Sequence, residues 1–124
     1  MMVFAFDFFG TLTDHENVRQ FARDCFARGH EVHIVSSISP GLPLDSDEAY
    51  AEMLGDLKVP FTKVHRVDHN PALKLEVLKR IGAIAFWDDV KANVDLARAH
   101  GISSCHVGVD QYDVTTSLHT GDGK

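Results

Sequence analysis

Met1-Met2-Val3-Phe4-Ala5-Phe6-Asp7-Phe8-Phe9-Gly10-Thr11-Leu12-Thr13-Asp14 occupies residues 1–14. Val3 to Phe6 is short, apolar and free of alternation, which predicts a strand buried on both faces, as in a parallel sheet. It stops at a single carboxylate, Asp7, so a charge stands where a buried strand reaches its sheet edge. Ala83 to Trp87 repeats the pattern and stops at Asp88-Asp89. Two apolar strands that each end in acid are the frame for the rest of the chain.

Around them, strand and helix patterns alternate at short spacing. Thr13-Asp14-His15-Glu16 has capping-box form. Val18, Phe21, Ala22, Cys25 and Phe26 follow at helical spacing, and Gly29 supplies a stop. Glu31 to Val35 reads as a second strand running into Ser36-Ser37. Pro40, Gly41 and Pro43 mark a loop. Asp45 with Glu48 can cap a helix carrying Tyr50, Met53, Leu54 and Leu57, closed by Pro60. Lys63 to Val67 is a weaker strand. Asn70-Pro71 is a helix entry, with Leu73, Val77, Leu78 and Ile81 as its stripe and Gly82 as its end. A helix from about Val90 to Ala99, Gly101, and a strand from Ser103 to Val107 complete the pattern. The alternation predicts an α/β fold with right-handed crossovers and a parallel sheet covered by helices on both faces. Residues 1–110 form the expected domain. Residues 111–124, with few large apolar side chains, form the expected C-terminal tail.

At 124 residues the chain supports one core, and 44% hydrophobic with 24% charged residues is an ordinary globular composition. A net charge of -6 argues against nonspecific binding to nucleic acid or anionic membranes. No apolar stretch approaches the roughly 20 residues that span a bilayer. The apolar start is interrupted at Asp7, so no secretory leader is expected. Cys25 and Cys105 have no paired spacing and read as buried free thiols, consistent with a reducing, cytoplasmic setting. The eight histidines are scattered, with no spacing that would form a zinc site.

In open α/β sheets, ligands bind outside the carboxyl ends of the strands. Along this chain that edge would carry Asp7, Ser36-Ser37 and Asp88-Asp89, with Lys74 near the start of a neighbouring helix. Carboxylates gathered on one rim call for a hard cation such as Mg²⁺. Ser and Lys donors suit a phosphoryl group beside it.

Four segments, in order, resemble the haloacid-dehalogenase-like (HAD) hydrolases. Asp7-Phe8-Phe9-Gly10-Thr11-Leu12-Thr13 resembles the first motif. Ile34-Val35-Ser36 resembles the second, Lys74 in Lys74-Leu75-Glu76-Val77-Leu78-Lys79 the third, and Phe86-Trp87-Asp88-Asp89-Val90-Lys91-Ala92-Asn93 the fourth. The likeness runs from Val3 to about Val107. It implies a three-layer Rossmann-like sheet of strand order 3-2-1-4-5. No stretch is long enough for a cap domain. It also implies that Asp7 is the nucleophile, forming an aspartyl-phosphate. Thr11, Ser36 or Ser37, and Lys74 would hold the phosphoryl oxygens; Lys79 competes with Lys74 for the third motif. Mg²⁺ would be held by Asp7, the Phe9 carbonyl, Asp88 and Asp89, with Asn93 in the outer shell.

Phe9 is the departure. Phosphatases of the family carry Asp there, which protonates the leaving alkoxide and then activates water. Phe9 keeps the carbonyl and removes the proton shuttle, a loss of about 10²–10⁴ in rate. Relatives without an acid there include ion-pumping ATPases with Thr, phosphonate hydrolases with Ala and metal-free dehalogenases with Tyr. The paired acids Asp88-Asp89 favour phosphate and metal over dehalogenation. The resemblance thus implies a slow Mg²⁺-dependent phosphohydrolase or phosphotransferase. Alternatives are an impaired phosphate- or Mg²⁺-binding module and, third, a haloacid dehalogenase. Phospho-receiver domains share the size and residue types, but their acid pair follows the first strand, which rejects that reading. A capless site would be open. It would suit a phosphorylated small molecule or the phosphate end of a larger one, or a second subunit could cover it.

Overall fold

The computed structural model describes residues 1–38 and 46–110. The loop expected around Pro40, Gly41 and Pro43, the Asp45 cap and the tail from Gln111 to Lys124 lie outside the described residues. Strands β1 (Val3–Phe6), β2 (Glu31–Ile38), β3 (Lys63–Asp68), β4 (Ala85–Asp88) and β5 (Ser103–His106) alternate with helices α1 (Glu16–Ala27), α2 (Asp47–Asp56), α3 (Pro71–Ile81) and α4 (Lys91–Ala99). The five strands form one sheet in the order β3-β2-β1-β4-β5, and every neighbouring pair is parallel. That is the expected α/β fold and strand order. It also differs from the 2-1-3-4-5 order of receiver-type sheets.

The pleat of β1 divides the core. Phe4 and Phe6 point to the face that buries Val18, Phe21 and Tyr50, carried by α1 and α2. Ala5 points to the opposite face, with Leu75, Leu78 and Ala97 of α3 and α4. Bulk is therefore unequal: aromatic rings fill one layer, where Trp87 stacks on Phe6 at 4.7 Å. The other layer is mainly aliphatic, with Phe86 as its large residue. No helix among the described residues is long and apolar enough to cross a membrane.

Several local expectations change. The Thr13/Glu16 capping box does not form. Thr13 Oγ1 instead accepts from Gly10 N at 2.9 Å and donates to Asp14, while Glu16 pairs with Arg19 and Arg23. Arg19 then donates to the carbonyls of Leu12 and Thr13, so a guanidinium rather than a hydroxyl ties α1 to the turn after β1. Ser46, not Asp45, caps α2 by accepting from Ala49 N. The strand expected to stop at Val35 runs on to Ile38, because β3 pairs with it through Asp68. β4 starts at Ala85 rather than Ala83 and includes Asp88. On α3 the buried stripe is Lys74, Leu75, Val77 and Leu78, with Leu73 only half-buried. Asn70 caps this helix as expected, accepting from Ala72 N with Pro71 next, and Gly82 ends it in the left-handed region at φ 71°.

Candidate functional site

The β1–β4 ladder places the first two acids. Phe6 pairs with Trp87, and Asp7 N donates to Trp87 O at 2.8 Å, so Asp7 and Asp88 are the next residues in register. With a side-chain period of two, both carboxylates fall on the α3/α4 face. Lys74 reaches up from α3 between them: its Nζ is 2.8 Å from Asp7 Oδ1 and 2.9 Å from Asp88 Oδ2. The side chain is 2% exposed, whereas Lys79 is exposed, so Lys74 is the lysine at the site.

Asp88 and Asp89 divide the labour of the second acid cluster. Asp88 is fully buried and well satisfied, accepting from Val90 N at 2.8 Å, Asn93 Nδ2 at 3.0 Å and Lys74. It closes β4 and, through Val90 N and Asn93, anchors the turn into α4. Asp89 is half-buried, and its Oδ1 is enclosed without a hydrogen-bond partner among the described residues. Asp7, Asp88 and Asp89 bring ligand atoms within 4.8 Å of one another. Burial pushes the Asp7 carboxyl well above the usual carboxylate range; Lys74 opposes the rise, and Asp88 and Asp89 add to it. Lys74 is raised, because the pull of Asp7 and Asp88 outweighs its own desolvation.

A cavity of about 130 Å³ opens above this cluster, with Asp7, Lys74, Asp89 and Asn93 on its floor and Ser36 and Ser37 along the β2 side. Ser36 Oγ is 2.9 Å from the Tyr50 hydroxyl. Phe9 faces the same cavity. Thr11 does not line it; its hydroxyl lies 3.3 Å from Asp7 Oδ2 and so bears on the carboxylate. Asp88 likewise sits beneath the cavity rather than in its wall. Asp14 and His15 do not reach it.

The turn from Phe8 to Leu12 has a specific requirement for glycine. Gly10 has φ 79°, and a β-carbon there would overlap the Asp89 carboxylate. The two acid-bearing segments therefore interlock at Gly10.

Three contributors went unread in the sequence. His69 lines the cavity, and its place directly after β3, at the carboxyl edge, is the signal that would have found it. Val90 lines it from the residue after the acid pair. Tyr50 approaches Ser36 from α2, and no local pattern foretells that contact. Neither a protein-family model nor any curated protein matches the chain at a significant level.

Proposed function

We propose that the chain is a capless HAD-like protein, a Mg²⁺-dependent phosphohydrolase or phosphotransferase whose nucleophile is Asp7. The observation that carries this reading is the charge imbalance at the carboxyl ends of β1 and β4. Three carboxylates cluster where one ammonium pairs with only two of them, Asp7 and Asp88, and Asp89 Oδ1 is enclosed with no donor among the described residues. A hard divalent cation fits that donor set. Asp7, Asp89 and the Phe9 carbonyl would hold it, backed by Asp88 and Asn93. When bound, Mg²⁺ supplies positive charge that keeps Asp7 ionised and offsets the charge of a phosphoryl group.

The chain's own groups account for the rest. Asp7 is buried at the cavity floor, oriented by Lys74 on one oxygen and Thr11 on the other. Its carboxylate attacks phosphorus, and the bond to the leaving oxygen breaks. Lys74 and the Ser36 and Ser37 hydroxyls would donate to the phosphoryl oxygens. Tyr50 orients the Ser36 hydroxyl. Water then releases phosphate from Asp7. The small cavity admits a phosphate group, with the remainder of a phosphorylated small molecule or larger partner outside it.

Incubation of the protein with p-nitrophenyl phosphate, with and without Mg²⁺, tests the reading. Metal-dependent turnover that Asp7→Asn abolishes is the expected result; equal rates for the two proteins would sink it. The half-buried Phe9 in the cavity wall favours a second reading, a phosphate-binding module without turnover. Beryllium fluoride binding with no nitrophenol release would select it.

A further inference from the structure

Phe9 and Val90 add an apolar edge to a cavity whose floor is charged. Phe9 lines it half-buried, and its ring packs against the aromatic core layer, edge-on to Phe8 at 4.9 Å and to Tyr50 at 6.3 Å, which holds it in place. Val90 lines it too and is 37% exposed, an apolar surface next to an acid cluster with no packing role in either core layer. An alkyl phosphate makes little use of such an edge. A planar aromatic group does, because ring faces and edges pack well on Phe and aliphatic carbon.

Leaving-group chemistry points the same way. A phenol ionises near pH 10, like Tyr, whereas an alkanol resembles water at about 16. A site with Phe in place of a proton donor can expel the first far more readily than the second. We propose that the substrates are phosphate monoesters of aromatic alcohols, such as a phosphorylated tyrosine side chain, with the aryl ring seated against Phe9 and Val90. This rests on Asp7 as nucleophile. An Asp7 oxygen bonds to phosphorus, the phosphorus–aryl oxygen bond breaks, and its electron pair leaves on an aryloxide that takes a proton from solvent. Water then attacks phosphorus, the bond to Asp7 breaks, its pair returns to the carboxylate, and the proton of water passes to solvent. Neither step draws a proton from the protein.

The test compares kcat/KM of the full chain with Mg²⁺ for phenyl phosphate, O-phosphotyrosine, O-phosphoserine, glycerol phosphate and acetyl phosphate. Aryl esters should exceed alkyl esters by at least about 100-fold, the scale of the missing acid. Phe9→Ala should lower the ratio of phenyl phosphate to acetyl phosphate, a non-aromatic substrate with a good leaving group, by about five- to tenfold. Val90→Ala, at an exposed position, should lower the same ratio and serves if Phe9→Ala fails to fold. Comparable aryl and alkyl values would overturn the proposal and direct attention to His69 as a proton donor. An unchanged ratio in both variants would overturn the ring seat. If Asp7→Asn matches the unsubstituted protein on every substrate, the nucleophile reading falls and this proposal with it. Asp7-dependent hydrolysis without aryl preference removes this proposal alone.

Discussion

Lys74 and Asp7, 67 residues apart in sequence, are paired at 2.8 Å, and the same ammonium holds Asp88 at 2.9 Å. One positive charge thus separates two buried carboxylates. Lys74→Met would leave them facing each other without compensation, and breaking a buried pair this way costs about 3–5 kcal/mol. Urea denaturation without metal should show that loss, with Lys79→Met, on the exposed side of α3, as a control changing by less than about 0.5 kcal/mol.

Asp88 and Asp89 should respond oppositely to the same substitution. Asp88 accepts three hydrogen bonds, so Asp88→Asn should destabilise the metal-free protein by about 1.5–3 kcal/mol. Asp89 Oδ1 has no partner among the described residues, so Asp89→Asn should leave metal-free stability within about 1 kcal/mol or raise it. The rise in Tm with added Mg²⁺ should survive neither change undiminished, and should vanish in Asp89→Asn. Thermal scans at several Mg²⁺ concentrations check both.

Gly10→Ala combines two faults, a positive φ and an overlap with the Asp89 carboxylate. The first costs about 1–2 kcal/mol for a residue with a β-carbon. The second displaces an acid of the site, so Mg²⁺-dependent turnover should fall further than stability does. Gly29→Ala offers the comparison: its φ is 85° but a β-carbon there meets nothing within 4 Å, so only stability should drop.

Stability should decline on mild acidification because of a histidine pair. His33 Nδ1 lies 2.8 Å from His65 Nε2, the rings stack, and Glu31 accepts at His33 Nε2. Burial and the neighbouring His33, Lys63 and Arg80 charges lower His65 to about 4. The unfolded chain therefore binds more protons than the native one between pH 6.5 and about 4. The contribution is complete above pH 6.5 and is lost as pH falls through that window, by at most about 3 kcal/mol. Urea midpoints at pH 7, 5.5 and 4.5 should trace the loss, and His65→Gln should flatten it.

Phe9→Asp should introduce a proton donor and raise the hydrolysis of alkyl phosphates by about tenfold or more, with little gain on nitrophenyl phosphate. Steady-state rates on both substrates decide it. A flat response would mean that the Phe9 side chain does not face the leaving oxygen.

The order of strands and helices was legible because burial pattern is a local property. Val3–Phe6 and Ala85–Trp87 are apolar on both faces, and Asn70-Pro71 and Gly82 bracket α3. Site positions were legible for the same reason, since acids directly after buried strands must emerge at the carboxyl edge. Capping was less legible. Thr13 and Glu16 had the right spacing, but Gly10 and two arginines competed for them in space.

From the sequence alone came an alternating α/β chain, a carboxyl edge bearing Asp7, Ser36, Ser37, Asp88 and Asp89, and the apolar Phe9 two residues after the first of those acids. Tertiary structure alone decided which lysine enters, because only Lys74 lies on the face of α3 that meets β1 and β4. It alone separated Asp88, saturated by donors, from Asp89, whose Oδ1 meets no donor among the described residues. It also brought Tyr50 to Ser36 and Gly10 to Asp89. Each of these depends on distances across elements remote in sequence, which periodicity and capping preferences do not encode.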